Sequence, residues 1–96
     1  MDKLLNSIET RIKYIIKNSE NAFVEKTCNI IRVKLEGIKA RQYTTEGVVN
    51  SICDNIINND IDKMKRVLGL TNMTYKKMDE LSGFINDIRS AYFEEN

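Results

Sequence analysis

Apolar residues recur every three or four positions along almost the whole chain. This spacing places them on one side of an α-helix, where the apolar side of another helix shields them from water. No proline interrupts the pattern in 96 residues, so the pattern predicts an all-α protein. The four apolar groups are Leu4, Leu5, Ile8, Ile12, Ile15 and Ile16; Val24, Cys28, Ile31, Leu35 and Ile38; Val48, Val49, Ile52, Cys53, Ile56 and Ile57; and Met78, Leu81, Ile85, Ile88 and Tyr92.

Residues that favour helix ends divide the pattern into four long helices and one short helix near residues 60–68. Gly69 stands where a helix commonly ends in a left-handed residue. The predicted helices run from Asp2 to Lys17, from a cap at Ser19 to Ala40, from a cap at Thr44 or Thr45 to Asn58 and Asn59, from a cap at Asp60 to Leu68, and from Thr71 or Thr74 to Phe93.

Short connections between successive long helices predict an antiparallel four-helix bundle. The chain has no glycine- and serine-rich linker and no repeat, so we expect residues 1–96 to form a single domain. Gly37 and Gly83 fall within predicted helices, and we interpret them as points where two helices approach closely. The residues predicted to lie in the core are Ile12, Ile31, Ile52, Ile56, Leu81 and Ile85.

Charge and composition predict a cytoplasmic protein. Fifteen basic and fourteen acidic residues give a formal net charge of +1, too small to draw the molecule onto nucleic acid or anionic lipid. No apolar run approaches the roughly 20 residues that cross a bilayer, and charged residues interrupt the N-terminal segment where a secretory signal would be apolar. Cys28 and Cys53 fall in apolar stripes and are expected to be buried free thiols. Abundant isoleucine and asparagine indicate a low-GC bacterium or its phage.

The residues that usually perform catalysis or bind metal are missing from this sequence. Histidine is absent, which removes the usual general base and the commonest neutral metal ligand. Asn58, Asp60 and Asp62 resemble the start of a calcium loop, but Lys63 and Gly69 stand where that loop needs glycine and glutamate. We therefore expect no enzyme activity, no metal and no cofactor.

Residues 60–83 resemble a helix-turn-helix, in which a short helix ends in Leu-Gly-Leu-Thr and a threonine opens a DNA-reading helix. Two features disfavour DNA as the partner. Lys65 stands where a small residue is expected, and acidic residues such as Asp79 and Asp87 would repel phosphate. The residues that would face the major groove are Tyr75, Lys76 and Lys77.

Five short motifs follow one another between residues 20 and 93. They are Lys34-Leu-Glu-Gly-Ile-Lys39, Val48-Val-Asn-Ser-Ile52, Leu70-Thr-Asn-Met-Thr-Tyr75, Lys76-Lys-Met-Asp-Glu-Leu81 and Ile88-Arg-Ser-Ala-Tyr92. This order resembles that of the immunity proteins that protect lactic-acid bacteria and their relatives from pediocin-like bacteriocins. Members of that family often carry a proline before the third helix, where this chain has Thr45-Glu46-Gly47.

The resemblance implies a four-helix bundle that protects its producer without catalysis. Such proteins are thought to act at the inner face of the membrane, where they engage the sugar-permease receptor once the bacteriocin has bound it. Specificity in the family follows the C-terminal half, so the resemblance implies a partner-binding surface on the last helix, beside the tail residues Glu94 and Glu95. The residues of that surface are Lys76, Lys77, Arg89, Tyr92 and Phe93.

Two other kinds of protein interaction fit the same pattern. A small phage-type or host-regulatory helical protein could bind and inhibit a protein partner. No sequence motif is expected in proteins of that class. A homo-oligomer could form through an apolar stripe that folding leaves exposed. The residues do not separate these alternatives from immunity.

Overall fold

Five α-helices and one π-helical segment account for most of the residues that the computed structural model describes, which are residues 1–69 and 73–94. No strand occurs in those two ranges, and the all-α prediction is confirmed. The α-helices are α1 (Asp2–Ser19), α2 (Ala22–Lys39), α3 (Glu46–Asn55), α4 (Asp62–Leu68) and α5 (Met73–Glu94). The π-helical segment, Ile56–Ile61, joins α3 to α4 without a break, so the chain forms four long helical units.

Contacts between neighbouring units show that each pair is antiparallel. In every pair, moving forward along one helix means moving backward along the other, which confirms the antiparallel four-helix bundle. The contacts that fix these directions are Tyr14 with Lys77 and Arg11 with Phe84 between α1 and α5; Cys28 with Met64 and Lys34 with Asp60 between α2 and the α4 unit; and Asp54 with Arg89 and Lys65 with Asp79 between that unit and α5.

The core follows the predicted apolar stripes with one exception. Five of the six residues predicted to lie there are fully buried, namely Ile12, Ile31, Ile56, Leu81 and Ile85. The prediction was wrong for Ile52, which is only partly buried. It lines a surface depression together with Lys34 and Tyr43, because it lies at the edge of the buried side of α3, which is centred on Val49 and Cys53.

The turn between α1 and α2 lies slightly later than predicted. Ser19 is the last residue of α1 and not the cap of α2, and Glu20 takes a left-handed conformation with φ of 47°. Asn21 caps α2 instead, since its side chain accepts a hydrogen bond from the backbone N–H of Val24 over 3.1 Å. Asparagine is as good a cap as serine, so the sequence alone did not distinguish them.

The predicted break at Asn58 and Asn59 does not exist, and Asp60 does not cap a separate helix. The backbone instead widens into the π-helical segment. A spacing of five residues is close to one π-helical turn, so Ile56 and Ile61 both reach the core, whereas an α-helix would separate them by about 140°. The short fifth helix is therefore α4, continuous with α3.

Gly69 follows the end of α4, with φ of 75° and ψ of 179°. The positive φ agrees with the prediction, but the extended ψ differs from a left-handed helical residue, for which ψ is about 47°. Of the two threonines proposed to start the last helix, Thr71 lies outside the described residues and Thr74 lies within α5.

Candidate functional site

The two lysines predicted to bind a partner differ in their surroundings. Lys76 is exposed and makes no ion pair with any residue that the structure describes. Lys77 is held against the bundle, since its Nζ lies 3.2 Å from Glu80 and 5.5 Å from the centre of the Tyr14 ring. Only Lys76 therefore offers a charge that is not already neutralised by the protein.

Arg89 connects α5 to α3. Its Nη2 donates to Asp54 Oδ1 over 2.5 Å, and about a quarter of its side chain is exposed. The pair contributes to helix packing at the surface, so Arg89 would have to leave Asp54 before it could bind an anionic group of a partner.

The two aromatic residues near the end of α5 are largely enclosed. Tyr92 is 2% exposed, its hydroxyl donates to the backbone carbonyl of Tyr43, and the guanidinium of Arg41 lies over its ring at 4.9 Å. Phe93 is partly buried and meets Tyr92 edge-on, with the two ring centres 4.7 Å apart. The five residues predicted from the resemblance therefore do not form one open surface.

The segment that resembles a helix-turn-helix has its central lysine engaged. Lys65 forms an ion pair with Asp79 and lies 4.8 Å from the centre of the Tyr75 ring. These contacts fill the space between α4 and α5 that a small residue would leave in a DNA-binding motif. They also place a carboxylate beside Tyr75, one of the residues expected to face DNA.

Exposed large apolar side chains concentrate instead on α2, and α3 and α4 contribute one each, Val48 and Val67. Phe23 is 43% exposed, Ile30 41%, Val33 72% and Val67 48%. The first three belong to α2, which thus carries a second apolar side beside the buried one. Single exposed apolar residues are ordinary, but several on adjacent helices are typical of a protein-binding surface.

Helical spacing places some of these residues on the flanks where α2 and α4 meet. Phe23 and Ile30 precede Lys34 by eleven and four residues, which puts all three on one side of α2. Val67 follows Asp60 by seven residues and shares its side of α4. Because Lys34 Nζ contacts Asp60 Oδ2 over 2.6 Å, these two sides adjoin each other.

The register of the two helices brings the apolar residues to the same level. Cys28 Sγ lies 3.7 Å from Met64 Sδ, so residues after Met64 lie beside residues before Cys28. Val67 is therefore close to the level of Lys26. We define the α2–α4 face as Phe23, Lys26 and Ile30 of α2 together with Lys63 and Val67 of α4.

The charges of the α2–α4 face are both positive. Lys26 and Lys63 are exposed, and neither forms an ion pair within residues 1–69 or 73–94. The nearest carboxylate on α2 is Glu25, which lines one surface depression together with Lys26, Ile30 and Val33. On α4, Asp62 is already paired with Arg66 over 2.9 Å. The face therefore combines apolar side chains with two exposed lysines, and the carboxylate of Glu25 borders it on α2.

The two cysteines are buried free thiols, as predicted. Burial raises the pKa of the Cys28 thiol to about 12, and burial also raises the pKa of the Cys53 thiol. A thiol that stays protonated is a poor nucleophile, so we expect both cysteines to react slowly with thiol reagents in the folded protein. The described residues contain no cluster of three or more acidic or cysteine side chains able to hold a metal ion.

The sequence contains an indication of the α2–α4 face, namely large apolar residues that lie outside the predicted apolar stripes. Phe23, Ile30 and Val33 fall outside the stripe that buries α2, and three large apolar residues left over on one helix indicate a second contact surface.

Comparison of the chain with models of protein families, with curated proteins and with solved structures gives no match. Among the described residues, no helix is both long and apolar enough to span a membrane.

Proposed function

We propose that this protein acts by binding another protein, without catalysis. The observation that carries the proposal is the α2–α4 face, where exposed apolar side chains of two adjacent helices lie beside lysines that make no ion pair with the residues that the structure describes. Such a surface costs solvation free energy in the isolated protein, and a partner that covers it recovers part of that cost.

The specific role that we propose is immunity against a pediocin-like bacteriocin. The order of motifs between residues 20 and 93 supports it, and an antiparallel four-helix bundle is the architecture that this resemblance implies. In this role the protein works in the cytoplasm at the inner face of the membrane and engages the bacteriocin-bound receptor. It needs no active site, since blocking the pore requires only binding.

Survival of a sensitive strain tests this role directly. The full chain is expressed in bacteria that pediocin-like peptides kill, and survival is measured against a panel of such peptides. We expect at least one peptide to kill the expressing strain less than a strain carrying an empty vector. Normal killing by every peptide, with the folded protein present in the cells, would refute the immunity role.

Truncation after Arg89 is a poor way to locate the site in this assay. It removes Tyr92, whose ring and hydroxyl hold the end of the bundle together. A better variant is Lys76→Glu, because Lys76 is exposed and makes no ion pair within the described residues. Lost protection in Lys76→Glu, with protection kept in Lys39→Glu, which changes another exposed lysine, supports a role for the last helix in partner binding.

A second candidate function is inhibition of a host or phage-encoded protein. The α2–α4 face favours it as well as it favours immunity, because either role requires only that the face be covered. The two differ in the survival assay: an inhibitor of an unrelated protein gives no protection. Duplex DNA is the less favoured partner, and we expect only weak binding that physiological salt removes.

A further inference from the structure

We infer that the depression beside Ile52 binds a small uncharged molecule that presents a carbonyl oxygen on an apolar body. The depression has a volume of about 330 Å³, and its lining residues are Lys34 of α2, Tyr43 of the loop between α2 and α3, and Ser51, Ile52 and Asn55 of α3. This volume lies at the lower end of the range for ligand pockets. The inference does not rest on the proposed binding of a protein partner through the α2–α4 face.

The ammonium group of Lys34 is held in place by two acceptors. Its Nζ donates to Asn55 Oδ1 and to Asp60 Oδ2, each over 2.6 Å. An ammonium has three N–H donors, so one of them has no acceptor among the residues that the structure describes. Lys34 lines the depression and 29% of its side chain is exposed, so this third donor remains for a molecule that enters.

The π-helical segment lets both acceptors reach the same ammonium. Asn55 is the last residue of α3, and Asp60 lies within Ile56–Ile61. An α-helix separates residues five apart by about 140°, whereas five residues make close to one turn of a π-helix. The wider turn therefore brings Asn55 and Asp60 to one side of the chain. Single π-helical turns inside α-helices are frequent at functional sites.

The other polar groups of the depression are also hydrogen-bond donors. An ammonium cannot accept, so its bond to Asn55 fixes which atom of the amide is oxygen and leaves the Nδ2 group with two N–H donors. Ser51 precedes Asn55 by four residues, which puts its hydroxyl on the same side of α3. Ammonium, amide and hydroxyl donors therefore adjoin one depression, and together they favour a ligand that accepts hydrogen bonds.

Charge favours an uncharged acceptor over a carboxylate. Asp60 is 5% exposed and contacts the Lys34 ammonium, so it already neutralises the charged side chain that lines the depression. A carboxylate that entered would lose its hydration without a net positive charge to offset the loss. A carbonyl oxygen accepts the same hydrogen bonds and costs less to desolvate.

Tyr43 and Ile52 supply the apolar part of the depression. Both are partly buried and pack against the core. The position of Tyr43 is fixed from two sides, since its carbonyl accepts from the Tyr92 hydroxyl and its own hydroxyl oxygen lies 2.7 Å from where a Cβ at Gly37 would be. This wall is therefore formed before a ligand binds, and an apolar ring that covers Ile52 removes its exposed surface from water.

Three small aromatic probes test the inference: 2-phenylacetamide, phenylacetate and 2-phenylethylammonium. They share a benzyl group and differ in the polar group, which is an uncharged amide, a carboxylate or an ammonium. Binding to the isotopically labelled full chain is followed by NMR shifts of the backbone amides and of the Asn55 side-chain amide. We expect phenylacetamide to bind at least about tenfold more tightly than either charged probe, with shifts centred on residues 34, 43 and 51–55.

Asn55→Asp is the decisive variant, because it keeps the shape of the side chain. It replaces two amide donors by an acceptor and adds a negative charge, so phenylacetamide affinity should fall at least about tenfold and the ammonium probe should bind more tightly than before. Asn58→Asp is the matched control, since Asn58 is exposed and does not line the depression, and it should keep the original preference. Ser51→Ala should weaken phenylacetamide binding severalfold. Circular dichroism verifies that each variant remains folded.

Several outcomes overturn the inference. These are equal affinity for the three probes, tighter binding of phenylacetate, shifts centred on another surface, an unchanged preference in folded Asn55→Asp, and no shift with any probe at its solubility limit. The survival assay is independent of these outcomes, because neither Ser51 nor Asn55 belongs to the α2–α4 face.

Discussion

The hydroxyl of Tyr92 donates a hydrogen bond to the backbone carbonyl of Tyr43, which ties the end of α5 to the loop between α2 and α3. Arg41, in the same loop, donates through Nη1 to the carbonyl of Tyr92 over 2.6 Å. Gly37 makes room for this arrangement, because a Cβ atom there would lie 2.7 Å from the Tyr43 hydroxyl oxygen. Tyr92 is therefore part of the bundle's structure and not a free contact residue.

Replacing Tyr92 by phenylalanine removes only the hydroxyl, so it tests this hydrogen bond. We expect the free energy of unfolding to fall by about 1 kcal/mol, since the Tyr43 carbonyl loses its donor. The measurement is urea denaturation. Tyr14→Phe is the matched control, because the Tyr14 hydroxyl makes no hydrogen bond within the described residues. Equal stability of the Tyr92→Phe variant and the unmodified protein would show that the hydrogen bond contributes nothing.

Ile56 and Ile52 lie one turn apart and should respond differently to truncation. Ile56 is fully buried, so Ile56→Ala should lower the free energy of unfolding by about 3–4 kcal/mol through lost burial and a cavity. Ile52 is partly exposed, and Ile52→Ala should cost only about 1–2 kcal/mol. Both are measured by denaturant unfolding. Equal costs, or a larger cost at Ile52, would contradict the packing of α3.

Breaking the ion pair between Lys34 and Asp60 should lower the free energy of unfolding more than breaking an exposed ion pair does. Asp60 is 5% exposed, and Lys34→Met would leave its carboxylate buried without a cation. We expect this change to destabilise the protein by about 2–3 kcal/mol. Arg66→Met breaks the exposed pair with Asp62 and should cost less than about 0.5 kcal/mol. Similar costs for the two variants in thermal unfolding would argue against the burial of Asp60.

The buried thiol of Cys28 should make stability depend on pH in the alkaline range. Its pKa is about 12 in the folded protein against an ordinary value of 9.0. Above pH 9 the unfolded chain loses this proton while the folded chain keeps it, so stability falls as pH rises from 9 towards 12. The slope attributable to this thiol approaches about 1.4 kcal/mol per pH unit. Cys28→Ala should have a shallower slope, and an identical slope in both proteins would contradict the prediction.

The sequence predicted the buried sides of the helices well, because burial on one side leaves a regular apolar spacing. It did not predict the path from α3 to α4. Two asparagines and Asp60 favour a helix end locally, but the core contacts of Ile56 and Ile61 keep the chain helical through a wider turn. Such a competition between local preference and packing depends on neighbouring helices, which the local pattern does not contain.

The roles of the glycines and the position of the candidate site also depend on contacts between elements, which the local sequence pattern does not contain. Gly37 is a point of close approach, but to the side chain of Tyr43 and not to another helix, and nothing lies within 4 Å of the position of a Cβ at Gly83. The α2–α4 face depends on which parts of a helix its neighbours leave uncovered. Spacing alone identified Phe23 and Ile30 as outside the stripe, and the arrangement of α2 beside α4 was needed to join them to Val67.

In-cell photo-crosslinking tests the central claim that this protein binds a partner through the α2–α4 face. A photoreactive phenylalanine analogue replaces Ile30 in one variant and Val48, which is similarly exposed on α3, in the other. After illumination of cells that naturally produce the protein, we expect a discrete adduct with another protein from position 30 that Lys26→Glu, Lys63→Glu abolishes, and background alone from position 48. The same adducts from both positions, or none from position 30, would contradict the account.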